Sequence, residues 1–316
     1  MKKLQEYKIA IVANMSAGKS TFINALFGDN ILPAYSHATT DCPIYIYSDD
    51  NPDNNMAIVK FTDGKRIIKL SKDEVQKNIK YYAQKDSESL DEKYRNVKKI
   101  HLCWDFKVLQ NSDKLDTNFV LIDTPGPNNT DDFASKHIDI TKDIILNEAD
   151  MILYLFDYEQ IDANLESTEK NLWGLINQRK RKDSNLEVFF VINKIDRAIE
   201  DNEKIHEVKN STSEDEFYQN FKKYHLYHEK KAVDKLKNIA IKHGFKSPKI
   251  FTVSSKFIES YRNRKNLNFV HKDELTEFID FFKNCFGKNW SNEFHTYLGH
   301  KSIEKSLKNH LKNKWK

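Results

Sequence analysis

The sequence has little of what marks secreted or membrane-spanning proteins. Its three cysteines, Cys42, Cys103 and Cys285, are odd in number, far apart and without CxxC spacing, which argues against a disulfide framework and against a zinc site. No apolar run approaches the roughly 18 residues of a membrane span. The run from Ile9 to Val12 is too short for the core of a signal peptide. These absences favour a soluble protein of the reduced cytoplasm.

A charge excess is missing as well. The 51 basic and 47 acidic residues leave a net charge of +4, and this near balance indicates neither a nucleic acid nor a membrane as partner. We find no internal repeat, and the 11 histidines show no HExxH-like spacing. A chain of 316 residues with 39% hydrophobic residues is long enough to bury one large core, with or without an appendage.

Short apolar segments alternate with segments of helical periodicity along most of the chain. A strand is predicted from Lys8 to Val12, and a helix that Gly28 ends is predicted from Lys19 to Phe27. The other predicted strands are Asn118 to Ile122, Met151 to Phe156, Val188 to Ile192 and Ile250 to Val253; the main predicted helices are Ile138 to Leu146, Glu166 to Gln178 and Phe278 to Phe286. The alternation predicts an α/β fold with a mostly parallel central sheet, helices on both faces and ligands at the carboxyl ends of the strands.

Two segments interrupt this alternation and are interpreted as insertions. Residues 44–106 contain alternating apolar and polar stretches around a polar helical section, which predicts an antiparallel extension of the sheet. Residues 199–243 are dominated by charge. There we expect a mobile lead-in from Glu200 to Glu216, followed by a long surface helix.

A phosphate-binding loop is indicated where the first strand meets the first helix. The segment Ala13 to Ser20 reads ANMSAGKS and departs from GxxxxGK[ST] only at Ala13, which replaces the first glycine. Its N–H groups can hold phosphate oxygens, Lys19 can reach the β- and γ-phosphates, and the Ser20 hydroxyl can ligate Mg²⁺. The candidate nucleotide-binding residues are Asn14, Met15, Ser16, Ala17, Gly18, Lys19, Ser20 and Thr21. A match to Gly18-Lys-Ser alone does not exclude that the motif occurs here by chance.

A second candidate site segment, Asp123-Thr-Pro-Gly126, follows the predicted strand at Asn118 to Ile122. Asp123 there can hold a magnesium-bound water, and the N–H of Gly126 can face the γ-phosphate. An ordinary Pro-Gly turn after a buried strand is the alternative.

The third segment, Asn193-Lys-Ile-Asp196, matches the NKxD pattern of guanine recognition. The Asp196 carboxylate can accept two hydrogen bonds, from N1–H and the 2-amino group of guanine, which adenine does not offer in that arrangement. Lys194 can cover the base and Asn193 can tie this turn to the P-loop. Ser254 and Ser255 resemble a weaker element whose N–H would touch the guanine O6. A solvated polar turn is the alternative, and ATP specificity a further one that Asp196 argues against.

With these elements in order, the chain resembles the P-loop GTPases, and within them the bacterial dynamin-like proteins. The segment Ile31 to Thr40 looks like the dynamin-like switch I, and DTPGPN from Asp123 to Asn128 looks like switch II. The resemblance covers roughly residues 8–290 and implies a GTPase domain over residues 1–290. It also implies that Thr40 closes over Mg²⁺ and positions the attacking water; a hydroxyl-rich solvated loop is the alternative.

Two departures bear on hydrolysis. Small regulatory GTPases have a water-orienting Gln directly after DxxG, where this chain has Pro127, and animal dynamins have a P-loop Gln where it has Met15. Proline cannot orient water. The resemblance therefore implies slow or assisted turnover, with dimerisation across the nucleotide faces and help from Ser16. The candidate catalytic residues are Lys19, Thr40, Gly126 and Ser16, and the candidate metal ligands are Ser20, Thr40 and, through water, Asp123.

Residues 291–316 are interpreted as one amphipathic basic helix. Ile303, Leu307, Leu311 and Trp315 recur at four-residue spacing among lysines. By resemblance this is the start of a helical neck, and the alternatives are a helix on an anionic membrane, a partner-binding helix and a solvated end. The resemblance leaves the family's stalk unaccounted for. We therefore expect either a GTPase fragment or a stand-alone member that borrows a stalk.

The sequence thus predicts a GTP-hydrolysing enzyme that uses GTP/GDP and Mg²⁺ and whose nucleotide cycle drives self-association or partner binding. Its expected partners are a second copy across the GTPase face and a separate stalk-bearing protein, with a cytoplasmic or membrane-peripheral location and no nucleic acid. The alternative is a GTP-gated interaction module with negligible hydrolysis.

Overall fold

The structure, a computed structural model, describes most of the chain. The described ranges are 6–13, 16–32, 42–48, 51–83, 91–105, 119–126, 134–161, 169–265 and 269–314. Most of the predicted switch I, residues 33–40 with Thr40, lies outside them, as do Asn14, Met15, Pro127 and Trp315. Their predicted roles therefore stay predictions.

The described residues form one nine-stranded mixed sheet. Its strands are β1 Tyr7–Ala13, β2 Ile44–Ser48, β3 Met56–Phe61, β4 Ile67–Ser71, β5 Val97–Trp104, β6 Phe119–Asp123, β7 Met151–Asp157, β8 Glu187–Asn193 and β9 Lys249–Thr252. They lie in the order β4-β3-β5-β2-β6-β1-β7-β8-β9. The order places β1 next to the central strand β6, between β6 and β7.

The central strands are continuous apolar runs because both of their faces are covered. All seven residues of β7 and all five of β6 are buried. Strand β1 pairs in parallel with both neighbours, Ile9 lying opposite Leu121 of β6 and Met151 of β7. Their carboxyl ends therefore meet at one edge, as the alternation of strands and helices predicts.

The predicted extension of the sheet is largely antiparallel. Strand β3 runs antiparallel to β4 and β5, and β2 runs antiparallel to β6. Strands β2 and β5 are instead parallel, with Ile44 opposite Ile100. Local alternation predicts strands, but it does not reveal which partner each strand finds.

Helices pack around the sheet. They are α1 Lys19–Phe27, α2 Lys72–Ala83, α3 Ala134–Asp143, α4 Glu169–Lys182, α5 Arg197–Glu203, α6 His206–Lys209, α7 Glu214–Tyr224, α8 Tyr227–Lys242, α9 Ser255–Arg262, α10 Phe269–Phe286, α11 Trp290–Leu298 and α12 His300–Lys314. A π-helical turn, Ile144–Glu148, continues α3. The α/β fold class is confirmed. Within the described ranges, no helix combines the length and hydropathy that crossing a membrane requires.

The expectation of a mobile lead-in from Glu200 to Glu216 is wrong. Residues 197–224 form the helices α5, α6 and α7. Helix α7 has a serine N-cap, Ser213, whose Oγ accepts from the N–H of Glu216, and Phe221 is buried. The high charge density of this segment did not indicate these helices, because the apolar residues that α7 packs against lie far away in the sequence.

The C-terminal segment forms two helices where the sequence predicts one. Gly299, in the left-handed region with φ 73°, ends α11 and begins the turn into α12. Ile303, Leu307 and Leu311 are fully buried and belong to the same hydrophobic core as the sheet. These are the apolar residues that would have to face the membrane if the segment were a membrane-bound helix, and in the structure they are buried inside the protein.

Candidate functional site

The P-loop residues from Ser16 onward lie between the carboxyl end of β1 and the N-terminus of α1. Ser16 and Gly18 have positive φ angles of 63° and 77°, a conformation that glycine adopts readily and other residues rarely. Gly18 caps α1, and its carbonyl accepts from the N–H of Phe22 at 2.9 Å. The first N–H groups of α1, including those of Ser20 and Thr21, therefore have no helical partner and can bind an anion.

The Lys19 side chain lies beside the DTPG turn. A Cβ atom built on Gly126 would lie 3.4 Å from the Lys19 Nζ, so the absence of a side chain at Gly126 leaves room for the ammonium group. Burial lowers the pKa of Lys19, and the nearby carboxylate of Asp123 opposes this shift. An ammonium that is removed from water in this way gains strongly from a phosphate in the same cleft.

Two hydroxyl groups anchor the DTPG turn. Thr124 Oγ1 donates to the carbonyl of Ile11 in β1 at 2.7 Å, and Thr141 Oγ1 in α3 donates to the carbonyl of Pro125 at 3.0 Å. The turn is therefore held between the P-loop strand and helix α3. Asp123 ends β6 and is completely buried.

Asn193, at the end of β8, joins two of the predicted loops. Its Nδ2 donates to the carbonyl of Ala17 at 2.8 Å, and its Oδ1 accepts from the N–H of Ser255 at 3.2 Å. A Cβ built on Gly18 would approach the Asn193 Nδ2 to 2.7 Å. Only glycine fits at that point of the P-loop while the Asn193 amide keeps its place.

Lys194 adopts a positive φ of 61° and directs its ammonium group to Asp157. The Nζ to Oδ2 distance is 2.6 Å, and the Asp157 side chain is only 3% exposed. Sequence reasoning did not assign Asp157 to the site. The available signal was its place after a buried apolar strand, the same place that Asp123 and Asn193 occupy.

Asp196 and Ser254 meet at the end of the sheet. Ser254 Oγ donates to the Asp196 carboxylate at 2.5 Å. Burial raises the pKa of Asp196, while the Ser254 hydrogen bond and the charges of Arg197 and Lys256 oppose the shift. A partly desolvated carboxylate with one supporting donor can still accept further hydrogen bonds from a ligand.

The donor set near the P-loop suits a magnesium ion. The candidate ligands inside the described residues are the hydroxyl of Ser20 and the carboxylate of Asp123, which are hard oxygen donors of the kind that Mg²⁺ prefers. Asp123 is fully buried at the β6 end. In the part of the chain that the structure describes, no cluster of three or more His, Cys, Asp or Glu residues forms a dedicated metal cage. Such a cage is not needed, because Mg²⁺ is usually held by one or two protein ligands together with phosphates and water.

Asn24 is a buried polar residue that sequence reasoning missed. It lies on α1, and its Oδ1 accepts from the N–H groups of Ile31 and Leu32 while its Nδ2 donates to the Leu32 carbonyl. Asn24 thus holds the chain at the start of the predicted switch I. An Asn among the apolar residues of α1 was the signal available in the sequence.

A cavity of about 640 Å³ lies away from these loops, between the strands β2 and β5 and the end of α3. Its lining includes Tyr45, Lys99, Asp143 and Glu148. It contains none of the predicted nucleotide-site residues. The site is therefore defined by the strand-end loops and not by this cavity.

Comparison with known proteins gives one family match. A model of the dynamin family matches residues 9–195, which carry the P-loop, the DTPG turn and most of the NKID turn. Among curated proteins, the chain is 29% identical over 197 residues to dynamin-like protein A of Bacillus subtilis. The aligned region covers 61% of this chain but only 14% of that relative.

Solved structures give more distant matches. A chain from an oligomerised bacterial dynamin pair, described as sensing and tethering membranes, has 17% sequence identity and a TM-score of 0.44. The match covers 98% of this chain and 44% of that one. Era of Aquifex aeolicus, bound to GDP and AlF4⁻, has 18% identity and a TM-score of 0.38, with coverage of 87% and 56%. This chain thus spans about half the length of either structure.

Proposed function

Because this chain belongs to the dynamin family, we propose that it binds GTP together with Mg²⁺, hydrolyses it, and uses the nucleotide cycle to associate with a second copy or with a partner. The match covers well over half of the chain. Membership confirms two predictions from the sequence, the resemblance to dynamin-like proteins and the assignment to GTP-hydrolysing enzymes.

One observation supports the proposed site above all others, the double contact of Asn193. This side chain bonds both the Ala17 carbonyl in the P-loop and the N–H of Ser255. The elements proposed to hold the phosphates and the base are therefore fixed relative to each other. A ligand with phosphates at one end and a base at the other fits that arrangement.

Each end of the site has groups suited to one part of GTP. The N–H groups at the start of α1 and the buried Lys19 ammonium would hold the phosphates. Ser20 and Asp123 would hold Mg²⁺, which neutralises charge on the phosphates when bound. At the other end the Asp196 carboxylate would accept two hydrogen bonds from guanine, and the aliphatic part of Lys194 would cover the base.

The residue after Gly126 in the sequence is Pro127, which has no group to orient water. We propose that hydrolysis is therefore assisted, with Thr40 placing the attacking water and a second copy completing the site near Ser16. Family membership supports self-association in general. Separate stalk-bearing partners and contact with a membrane remain hypotheses that the sequence raises.

The test is GTP turnover with Mg²⁺ measured as a function of protein concentration. We expect the specific activity to rise with concentration, because each site is completed by a second copy. Lys19→Ala should abolish turnover, since it removes the ammonium at the phosphates. Asp196→Asn should weaken GTP binding by roughly two orders of magnitude, because one acceptor oxygen becomes an NH2 donor that faces a guanine donor and the other acceptor loses its charge. ATP should not compete in the wild type.

Two results would contradict parts of the proposal. Tight GTP binding with negligible turnover at every concentration would leave a GTP-gated interaction module in place of an enzyme. Equal competition by ATP would reject guanine recognition by Asp196.

A further inference from the structure

The turn between α11 and α12 lies directly beneath the proposed base-recognition loops. We call residues 297–299 the α11–α12 corner. The Tyr297 hydroxyl donates to the carbonyl of Ile195 at 2.9 Å, and the carbonyl of Leu298 accepts from the N–H of Ser254 at 3.2 Å. The corner therefore bonds both the loop that carries Asp196 and the loop that follows β9.

Gly299 allows this close approach. A Cβ atom built there would overlap the carbonyl oxygen of Thr252, and its φ of 73° is in the left-handed region. Only glycine lets the corner lie against the end of β9 in this conformation.

The two base loops also bond each other. The N–H of Ile195 donates to the carbonyl of Val253 at 3.2 Å, and Ser254 Oγ bonds the Asp196 carboxylate. Glu229 of α8 also accepts from Thr252 Oγ1 at 2.7 Å. Within the described residues of α11 and α12, Tyr297 is the one whose side chain donates a hydrogen bond to the Ile195 peptide.

Tyr297 is well suited to act as a permanent donor. It is 3% exposed. Burial, together with the nearby charges of Glu229 and Asp196, raises its pKa far above the ordinary range. The hydroxyl therefore keeps its proton at any physiological pH, and the Ile195 carbonyl keeps its partner.

We propose that Tyr297 is a positioning residue for guanine recognition, acting through the Ile195 peptide on the direction of the Asp196 carboxylate. The proposal rests on the guanine-binding function proposed above. Tyr297 does not contact the ligand. A carboxylate that accepts two parallel hydrogen bonds must be held in one orientation. Ser254 Oγ bonds the Asp196 carboxylate directly, and the peptide before Asp196 positions the Cα from which that side chain projects.

The test compares GDP and inosine diphosphate as ligands of wild type and Tyr297→Phe. Inosine lacks the 2-amino group, so it offers Asp196 one donor in place of two. The wild type should bind GDP roughly tenfold or more tightly than inosine diphosphate, because a hydrogen bond to a charged group is lost. In Tyr297→Phe we expect GDP affinity to fall roughly fivefold or more, and inosine diphosphate affinity to fall less. The ratio of GDP affinity to inosine diphosphate affinity should therefore be lower in Tyr297→Phe than in the wild type.

Tyr7→Phe is the matched control. The Tyr7 hydroxyl also donates to a backbone carbonyl, that of Asp150 at 3.2 Å, and it contacts His310 of α12 at 2.7 Å. It lies at the opposite end of the sheet from the base loops, at the start of β1. This variant removes an equivalent hydroxyl and should lower the melting temperature without changing the ratio of GDP to inosine diphosphate affinity.

The outcomes separate the two proposals. If the wild type prefers GDP and Tyr297→Phe has the same ratio of GDP affinity to inosine diphosphate affinity, the positioning role is overturned. A wild type that binds both ligands equally would reject guanine recognition itself. If Tyr297→Phe does not fold, Tyr297→Met removes the same hydroxyl while a flexible apolar side chain fills the buried space. It must lower the ratio of GDP affinity to inosine diphosphate affinity in the same way, and a preserved ratio there would also overturn the proposal.

Discussion

Single residues in this site are restricted by neighbours that lie far away in the sequence. Gly18 combines a positive φ with a Cβ position 2.7 Å from the Asn193 Nδ2. Either property alone disfavours a side chain. Together they tie the shape of the P-loop to the end of β8.

Gly18→Ala should therefore lose both stability and nucleotide binding. The added methyl group pushes on the Asn193 amide, which then loses its bonds to Ala17 and Ser255. We expect a loss of about 2 kcal/mol or more in the free energy of unfolding, as strain and lost hydrogen bonds add, and at least a tenfold loss of GDP affinity. Denaturant unfolding and GDP titration measure the two effects.

Gly64→Ala is the matched control for that prediction. Gly64 has a φ of 70°, but nothing lies within 4 Å of its Cβ position. The control should show the backbone cost alone, about 1 kcal/mol, with unchanged GDP binding. Equal effects of the two substitutions would mean that the contact with Asn193 is unimportant.

At the scale of elements, α1, α9 and α12 form a connected unit beside the sheet. Arg262 of α9 donates to the carbonyl of Ala25 in α1 and to Glu304 of α12, the latter at 2.6 Å. Glu259, also on α9, shares a hydrogen bond with Asn24, and burial raises the pKa of Glu259 from 4.5 to about 7. The helix that begins at the base loop is thus bonded to the residue that holds the start of the predicted switch I.

Glu259 should make the stability of this unit depend on pH. Because its pKa is raised by folding, its favourable contribution is complete below pH 4.5 and is lost as the pH rises through about 7. Glu259→Gln, which cannot ionise, should be more stable than wild type at pH 8 by on the order of 1 to 3 kcal/mol, and nearly equal at pH 5. Denaturant unfolding at the two pH values measures the difference.

The exposed Glu277 of α10 supplies the control for the pH experiment. Glu277→Gln should leave stability within about 0.5 kcal/mol of wild type at both pH values. A constant difference between Glu259→Gln and wild type across this range would show that folding does not shift the pKa of the Glu259 carboxyl.

The sequence predicts the elements of the sheet better than their pairing. Apolar runs and the residues that end them are local signals, so the strands ending at Asp123, Asn193 and Thr252 were predicted to within a residue or two. The parallel pairing of β2 with β5 and the contact of Tyr297 with Ile195 depend on partners far away in the chain. No local pattern encodes such partners, and the same holds for the Asp157 contact of Lys194.

At the scale of the whole molecule, α12 is part of the core and not an attached helix. Its residues Ile303, Leu307 and Leu311 lie in the same buried cluster as β1 and β8. The division into a GTPase domain of residues 1–290 and a neck helix remains a proposal. It can be tested by truncating a side chain that α12 buries in this core.

Leu307→Ala should destabilise the entire domain. Leu307 is 1% exposed, and truncating a buried leucine costs about 2 to 5 kcal/mol because it leaves a cavity. We expect one cooperative unfolding transition, shifted to lower denaturant concentration. Lys305→Ala, on the exposed face of the same helix, should change stability by less than about 0.5 kcal/mol. A small effect of Leu307→Ala, or a separate early transition, would mark α12 as a separable neck.

The central position of β1 also has a consequence for how the chain folds as it is synthesised. Strand β1 leaves the ribosome long before its two partners, because β6 and β7 begin only at Phe119 and Met151. Until they emerge, the N–H and C=O groups along both edges of β1 have no native partner, and pairing across such a long loop is slow. The nascent chain therefore carries an unpaired hydrophobic strand until β6 and β7 have been synthesised, a state in which association with chaperones competes with aggregation.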